Sequence, residues 1–276
     1  MIQYSKIDVL ARGKKPQDFI GFMLRGALGY SLKKVTCINP SFVCDKCFAA
    51  TNCLYYSFYE EKNVYHKFRF EFPPKSDLLE FSLYLYENEL EKLPYLISAI
   101  YKMLHENGLG KERIKPKEFF FYVNDKMIYD GKNFQVPKNY VNRFNVEEYH
   151  KDMVLNLQSP LRLKKDNRLV GVKEFAIDSL LNSIYQRYLQ LTGKQSSKLC
   201  FIPNYEIDNI DLRWKQLTRY SSRQKTLMKM DGLIGKIVLK NVDKESYKLL
   251  KLGEIIGAGK QTVMGLGKIE VKDLHE

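Results

Sequence analysis

The order of strand-like and helix-like segments restricts the fold of this chain more than any other feature of its sequence. Strand-like segments alternate apolar and polar residues, whereas helix-like segments carry their apolar residues on one face. In the first half of the chain they follow one another as β-α-β-β-α-β, the ferredoxin-like arrangement that RNA-recognition folds also use. The segments are a strand at 2–10, a helix from Pro16, strands at 65–72 and 79–86, a helix at 90–104 and a strand at 119–123.

The second half of the chain repeats this order. A polar, turn-rich stretch separates the halves, so we expect a linker at 126–150 between domains at 1–125 and 151–276. The predicted fold is therefore α+β, with two tandem ferredoxin-like (RRM-like) domains. The segments of the second domain are a strand at 153–157, a helix at 174–192, strands around Trp214 and at 233–239, a helix at 244–256 and a strand at 268–271.

The charge of the chain points to a polyanionic partner. Its 276 residues include 45 Lys and Arg against 32 Asp and Glu, a net charge of +13. Residues 1–150 hold 22 basic and 18 acidic residues (+4), and residues 151–276 hold 23 and 14 (+9). Nucleic acid is the leading partner, and we expect the second domain to make most phosphate contacts. The alternative is a lysine-rich protein whose basic surface is only solvated.

Hydropathy predicts a cytoplasmic protein without a membrane partner. The sequence contains no run approaching the roughly 18 to 20 apolar residues that a bilayer span requires. Its first residues, Met1 to Lys6, also lack a secretory pattern.

Four of the five cysteines lie within seventeen residues, in the pattern C-x6-C-x2-C-x5-C. Thiolates at this spacing can enclose a tetrahedral structural zinc ion and pin the loop after the first helix. The alternative is a set of buried, metal-free thiols, because the spacing matches no named zinc finger. The predicted ligands are Cys37, Cys44, Cys47 and Cys53.

A glycine-rich segment at 257–267 connects the last predicted helix to the last strand. Glycines permit positive φ and close approach, so successive N–H groups can converge on phosphate oxygens while lysines add charge. We predict that it holds an RNA backbone; the alternative is a tight connection whose glycines serve packing alone. The predicted RNA-binding residues are Gly257, Gly259, Lys260, Gln261, Thr262, Gly265, Gly267 and Lys268.

A basic stretch upstream of this segment mixes cations with aromatic side chains. Such a mixture suits phosphate contacts combined with base stacking. A solvated basic strand is the alternative, and we expect Trp214 itself in the core. The predicted RNA contacts are Arg219, Tyr220, Arg223 and Lys225.

Residues 253–268 resemble the C-terminal signature of the CRISPR-associated repeat-processing endoribonucleases, members of the RAMP superfamily. The stretches at 214–224 and 230–235 are similar to stretches of that family in the same order, as are those at 24–29, 53–55 and 108–113. The resemblance implies two ferredoxin-like domains that bind the repeat RNA of a CRISPR precursor transcript. It also implies metal-independent cleavage, in which a substrate 2′-hydroxyl attacks the adjacent phosphate and leaves a cyclic phosphate and a 5′-hydroxyl. The products would be guide RNAs for antiviral defence.

The catalytic residues are harder to predict, because many members of that family carry a histidine near the end of the first helix and this chain has none before His66. We predict that His66 transfers a proton from a position at the start of a strand. Some family members work with lysine and arginine instead, which makes Lys33, Lys34 and Arg25 candidates. Ordinary surface cations are the alternative for these three residues.

Two other functions stay open at this point. The missing early histidine favours a non-catalytic RAMP-type scaffold that binds guide RNA beside other proteins of a CRISPR effector complex. The cysteines and the charge also permit a zinc-stabilised DNA-binding protein. The sequence leaves open whether the chain is a monomer or a homodimer.

Overall fold

A computed structural model describes residues 2–13, 20–62, 64–73, 78–135, 137–221 and 226–274, with backbone alone for 219–221. The chain divides into two compact units, Gln3–Arg143 and Phe144–Glu276, the second of which includes Met1–Ile2. We call them the N-terminal and C-terminal units. Among the described helices, none is long and apolar enough to cross a membrane.

The N-terminal unit has the predicted ferredoxin-like order. Its antiparallel sheet runs β2-β3-β1-β4-β5, and β6 pairs with one end of β1. Ile7 lies opposite both Leu83 and Val123, and all three side chains are buried. The elements are β1 (Gln3–Arg12), α1 (Gly21–Thr36), β2 (Phe68–Glu71), β3 (Leu79–Tyr86), α2 (Leu93–Lys102), β4 (Glu118–Val123), β5 (Lys126–Tyr129) and β6 (Asn142–Arg143).

The structure differs from the expected linker at 126–150, since β5 and β6 lie within that range and extend the N-terminal sheet. Asn124 and Asp125 both have positive φ, 48° and 63°, and form a tight turn from β4 into β5. Short polar side chains tolerate this left-handed conformation, which two-residue hairpin turns require. The units therefore divide at Arg143 and Phe144. The helix predicted from Pro16 begins at Gly21 in the described chain; Pro16 lies outside the described residues.

The C-terminal unit contains a second four-stranded sheet, in the order β10-β13-β7-β14, around a second core. Two small hairpins, β8-β9 and β11-β12, are inserted between its elements. The α+β fold with tandem ferredoxin-like units is thus confirmed. The elements are β7 (Met153–Leu161), β8 (Lys164–Lys165), β9 (Arg168–Leu169), α3 (Ile177–Leu191), β10 (Glu206–Lys215), β11 (Thr218–Ser221), β12 (Thr226–Lys229), β13 (Gly232–Lys240), α4 (Lys244–Ile256) and β14 (Ile269–Asp273).

Helix α4 has strong signals at both ends. The Asp243 carboxylate accepts hydrogen bonds from the backbone N–H of Glu245 (3.0 Å) and of Ser246 (2.9 Å). These bonds satisfy donors that the first helical turn leaves without a partner. Gly257, with a φ of 75°, ends the helix at the start of the glycine-rich segment.

Candidate catalytic cluster and nucleic-acid interface

A short helical stretch at residues 54–60, here called the aromatic turn, packs against α1 and β2. The Tyr59 hydroxyl donates to the backbone carbonyl of Arg25 (3.0 Å), and the Arg25 guanidinium lies 4.6 Å from the centre of the Tyr59 ring. Burial raises the pKa of the Tyr59 hydroxyl above its usual range, even with the Arg25 charge beside it. Tyr59 therefore stays protonated and holds Arg25 in place.

Lys33 lies on the same side of α1, about two turns beyond Arg25. Its ammonium is 4.9 Å from the centre of the Tyr55 ring, and that ring stacks on Tyr59 at 5.3 Å. Two of the predicted catalytic cations thus lie over two adjacent tyrosines. A cation over an aromatic face is attracted by the ring quadrupole, which holds it in position.

His66 contacts the aromatic turn from the other end. The predicted strand at 65–72 begins only at Phe68, so His66 lies in the segment that leads into β2. Its Nδ1 is 3.1 Å from the Ser57 carbonyl oxygen, which can only accept a hydrogen bond. The bond therefore places a proton on Nδ1, and in the neutral ring it leaves the lone pair on Nε2, as a general base requires.

Lys34 makes different contacts from these three residues. Its ammonium lies 4.6 Å from the centre of the Tyr30 ring. It also lies 3.4 Å from the side-chain oxygen of Asn107, a residue that follows α2. A hydrogen bond from Lys34 lowers the pKa of the exposed Tyr30 hydroxyl. The structure therefore gathers Arg25, Lys33 and His66 around the aromatic turn and leaves Lys34 apart.

Sequence reasoning missed the aromatic turn itself. Phe58 is buried and stacks on Phe68 at 4.4 Å, which anchors the turn to β2. Gly29 of α1 admits the Tyr59 ring, because a Cβ there would lie 2.6 Å from Tyr59 Cε1. The aromatic run around Tyr55 was the available signal, but the residues of α1 and β2 that it contacts are distant in sequence.

The glycine-rich segment of the C-terminal unit uses many of its backbone N–H groups within the fold. Gly259 donates to the Ser183 hydroxyl (3.0 Å), Lys260 to the Arg162 carbonyl (3.0 Å) and Lys268 to the Ser159 hydroxyl (2.8 Å). Ala258 and Gly267 donate to backbone carbonyls at 2.9 and 3.1 Å. Four of these groups hold the segment and the adjacent Lys268 against the end of β7 and α3, and the Ala258 N–H closes the segment on the Gly267 carbonyl. All five N–H groups are therefore already hydrogen-bonded within the fold.

Several glycines in this segment are required by close packing. Gly259 (φ 70°) leaves no room for a Cβ, which would lie 2.7 Å from the Arg162 carbonyl oxygen. A Cβ on Gly267 (φ 70°) would overlap the Ala258 carbonyl oxygen. Close packing is therefore a sufficient reason for glycine at positions 259 and 267.

The side chains of the segment differ in how far a ligand can reach them. Buried residues of the segment include Gly257, Thr262 and Gly265. Lys260 is exposed, and Gln261 and Lys268 are half-buried. Of the predicted RNA-binding residues in this segment, these last three therefore have side chains that a ligand could contact.

The predicted basic stretch is described only in part. Arg219 and Tyr220 lie in β11 of the inserted hairpin, and Arg223 and Lys225 lie outside the described residues. Trp214, which we expected in the core, is instead 37% exposed on β10. The reason is that β10 is an edge strand of its sheet, beyond the reach of the core, and that Trp214 lies near its end, where the chain enters the β11-β12 hairpin.

The cysteine loop does not have the geometry of a metal site. The Cys37 N–H closes the last turn of α1 by donating to the Lys33 carbonyl (2.9 Å), and the Asn39 amide lies 3.5 Å from the Cys47 sulfur. Within the described ranges, which include all four thiols, no three His, Cys, Asp or Glu side chains are placed to hold a metal ion. The predicted zinc site therefore has no support from this arrangement. The four residues of the loop, all half-buried rather than fully buried, are Cys37, Cys44, Cys47 and Cys53.

Comparison with known families gives two matches that divide the chain as the units do. Residues 155–269 match the model described as CRISPR-associated endoribonuclease Cas6. Residues 6–138 match a model described as an N-terminal domain. The resemblance predicted from residues 253–268 is thereby confirmed.

Similar proteins and structures extend over nearly the whole chain. An uncharacterised protein of Archaeoglobus fulgidus is 22% identical over 278 residues, covering 92% of each chain. A Cas6 product complex superposes with a TM-score of 0.54 at 17% identity, covering 99% of this chain and 100% of the other. The product complex of a Thermus thermophilus Cas6 superposes with a TM-score of 0.57 at 13% identity, with the same coverage. At such low identity these structural likenesses establish the fold.

Proposed function

We propose that this chain, a Cas6-type protein by the family match of residues 155–269, binds CRISPR repeat RNA and cuts it as an endoribonuclease. That match carries the proposal, because it covers the glycine-rich segment and most of the C-terminal unit. The net charge of +13 supports a polyanionic ligand. Solved structures of this fold also include product complexes of Cas6 proteins.

The proposed reaction is attack of a substrate 2′-hydroxyl on the adjacent phosphate. The hydroxyl loses its proton to a base, the new P–O bond closes a cyclic phosphate, and the leaving oxygen takes a proton to become a 5′-hydroxyl. The protein must supply the base, the acid and positive charge around the crowded phosphate. The cluster around the aromatic turn contains groups of these types.

We assign His66 as the proton-transfer residue, since its Nδ1 contact with the Ser57 carbonyl orients the ring and directs Nε2 away from that carbonyl. Arg25 and Lys33 would stabilise the charge that develops on the phosphate oxygens. Tyr59 and Tyr55 hold them at fixed positions, so little reorganisation is needed during reaction. Lys34 is expected to contribute less, because its contacts lie elsewhere.

Binding falls to the C-terminal unit in this proposal. Its exposed Lys260, half-buried Lys268 and the β11-β12 hairpin would contact phosphates and bases. Other proteins of a CRISPR effector complex are proposed as further partners. The predicted contacts in and beside the hairpin, which stay predictions, are Arg219, Tyr220, Arg223 and Lys225.

A non-catalytic RNA-binding scaffold is the second candidate, and one observation favours it. Each clustered candidate has a structural contact: Arg25 donates to the Phe58 carbonyl (3.4 Å), Lys33 lies over Tyr55, and His66 bonds to Ser57. Such contacts would be expected if these side chains only stabilised the N-terminal unit.

One experiment separates the two functions. Repeat RNA from the CRISPR array of the source genome is incubated with the full chain in EDTA, beside a matched RNA with a single 2′-deoxynucleotide at the cut site. The enzyme should cleave only the first RNA and bind both equally. Binding of both without cleavage identifies the scaffold, whereas cleavage of the deoxy RNA, or cleavage only with added divalent metal, refutes the proposed chemistry.

The structural zinc stays a prediction with its own test. A structural zinc site requires one zinc per chain in metal analysis of the purified protein, lost in Cys44→Ser and retained in Cys200→Ser, whose thiol is exposed and outside the loop. Absence of zinc from the unsubstituted chain would mean that the thiols are metal-free.

A further inference from the structure

Strand β10 forms an open edge of the C-terminal sheet. Among the described strands it pairs with β13 alone, whereas the other edge strand, β14, is five residues long and exposes only Lys272. Along the ten residues of β10 every side chain but that of Leu212 is exposed. A long edge strand of this kind presents a row of backbone donors and acceptors to any other strand.

The large apolar side chains near the centre and end of β10 share one face. Ile210 and Trp214 lie opposite Ile237 and Leu233 of β13, whose side chains are buried in the core. Ile210 is nevertheless 45% exposed and Trp214 37% exposed, because the core does not extend to the edge. Half-buried Leu212 lies between them on the same face. A row of partly exposed apolar side chains on an edge strand marks an interaction surface.

We propose that this edge pairs with the same edge of a second copy of the chain, antiparallel and centred on Leu212. A two-fold axis that passes through Leu212 perpendicular to the sheet places Asp211 of one copy opposite Arg213 of the other on the outer face. It places Ile210 opposite Trp214 on the core face, so opposite charges meet on one face and apolar side chains meet on the other. A two-fold interface must be self-complementary in this way, and such cross-strand pairs stabilise antiparallel sheets.

The length of the pairing is limited by a bulge. The register with β13 shifts between Ile207 and Asn209, and a bulge turns an edge strand away from further pairing. Residues 209–215 remain regular and are related to one another by the proposed axis. Asn209 then lies opposite Lys215, so no like charges meet within the paired segment.

The charge of β10 favours a second copy over RNA. The strand carries three carboxylates, Glu206, Asp208 and Asp211, against Arg213 and Lys215, in a chain whose net charge is +13. Carboxylates repel phosphates, and phosphate contacts supply most of the affinity for RNA. A nearly neutral strand also lets two strongly basic chains approach without the repulsion that other surfaces would produce.

The test is the mass of the full chain in solution, measured by light scattering and sedimentation. The wild type, 32.5 kDa as a monomer, should show a species of twice that mass as its concentration rises. Asp211→Arg brings two arginines together across the axis, and Arg213→Asp brings two aspartates together. Each single variant should weaken dimerisation at least about 10-fold, because like charges directly opposite are destabilising.

Charge exchange provides the sharper arm of the test. An equimolar mixture of the two single variants should recover the dimer, as a heterodimer, because the charges at positions 211 and 213 are then opposite in both cross-strand pairs. The double variant should recover it as a homodimer for the same reason. Lys164→Asp, on the exposed β8 hairpin, is the matched control and should dimerise as the wild type does. Circular dichroism checks that each variant is folded.

Four results would overturn the proposed pairing. The first is a wild type that stays monomeric at about 100 μM, where a micromolar dissociation constant would give mostly dimer. The second is a dimer that survives in both single variants, and the third is a mixture that stays monomeric. The fourth, a change in RNA affinity with no change in mass, would assign β10 to RNA instead.

Discussion

The two units share the ferredoxin-like order but place their cations differently. In the N-terminal unit, several basic side chains lie over aromatic rings; in the described part of the C-terminal unit the corresponding pair is Lys194 over Tyr188 at 5.2 Å. Cations fixed over rings keep a defined position, which chemistry needs, whereas cations on the surface can follow a phosphate backbone. The N-terminal pairs are Arg12–Phe120, Arg25–Tyr59, Lys33–Tyr55, Lys34–Tyr30 and Arg69–Tyr84.

Three glycines of the two units show two kinds of close packing. In the C-terminal unit, Gly259 and Gly267 let backbone pack on backbone, which makes the glycine-rich segment part of the fold. In the N-terminal unit, Gly29 lets an aromatic side chain pack on a helix. At these three positions glycine therefore permits backbone packing in the glycine-rich segment and the packing of Tyr59 beside Arg25 in the N-terminal unit.

The largest expected effect is on stability, at Gly267 of the glycine-rich segment. Gly267→Ala introduces a Cβ that overlaps the Ala258 carbonyl oxygen in a left-handed conformation, and should cost about 3 kcal/mol or more of unfolding free energy. Urea unfolding followed by circular dichroism measures it. Gly193→Ala is the control, since Gly193 has the same φ of 70° but open space around it. It should cost only about 1 kcal/mol; equal losses would mean that close packing is not the reason for Gly267.

A smaller effect is expected at the aromatic turn. Gly29→Ala should displace the Tyr59 ring from Arg25 and cost about 1 to 3 kcal/mol, the usual range for overpacking. It should also slow RNA cleavage at saturating protein. Gly26→Ala, on the same helix with nothing within 4 Å, should be neutral or stabilising by up to about 1 kcal/mol. Unchanged cleavage in folded Gly29→Ala would separate the aromatic turn from the chemistry.

The smallest expected effect is at the cap of α4. Asp243→Ala should cost about 1 kcal/mol, and Asp243→Asn should cost less because its side-chain oxygen still accepts. Burial acts to raise the pKa of Asp243, but hydrogen bonds from the backbone of Asn204, Ser246 and Glu245 outweigh it, and the net shift is downward. The carboxylate thus stabilises the fold above the unfolded pKa of about 3.9, and this contribution is lost as the pH falls through the lower folded pKa. A difference between wild type and Asp243→Ala that stayed constant down to about pH 2 would contradict this assignment.

Much of the fold could be predicted from local sequence signals. Strict alternation locates β3 at Leu79–Tyr86, and the Asp243 cap with Gly257 locates α4 at Lys244–Ile256. The Asn124-Asp125 pair is a turn signal that predicts a hairpin from β4 into β5. The polar composition of the stretch that follows favours a linker instead. Strand β7 continues through Ser159 and Pro160, beyond the predicted strand at 153–157. The proline is tolerated there because the pairing with β14 ends at Leu157, so its missing N–H interrupts no hydrogen bond of that pairing.

The candidate site was less predictable, since its contacts join distant residues. Arg25, Lys33 and His66 were identified by residue type alone, and only the fold shows that the aromatic turn connects them. Buried Arg69, paired with Glu71 and lying over Tyr84, gave no signal that distinguished it from a surface arginine. The close packing of backbones in the glycine-rich segment likewise depends on contacts that a sequence does not display.

The division of labour between the units is tested most directly by measuring, for two variants, both the RNA dissociation constant and the saturating single-turnover cleavage rate. His66→Ala should lower the rate about 100-fold or more and leave the dissociation constant within about twofold, because His66 acts on protons rather than on phosphate charge. Lys260→Ala should leave the saturating rate unchanged, weaken binding and lower the salt dependence of binding by about one unit of slope. The opposite pattern, with His66→Ala weakening binding alone or Lys260→Ala abolishing cleavage of bound RNA, would contradict this division.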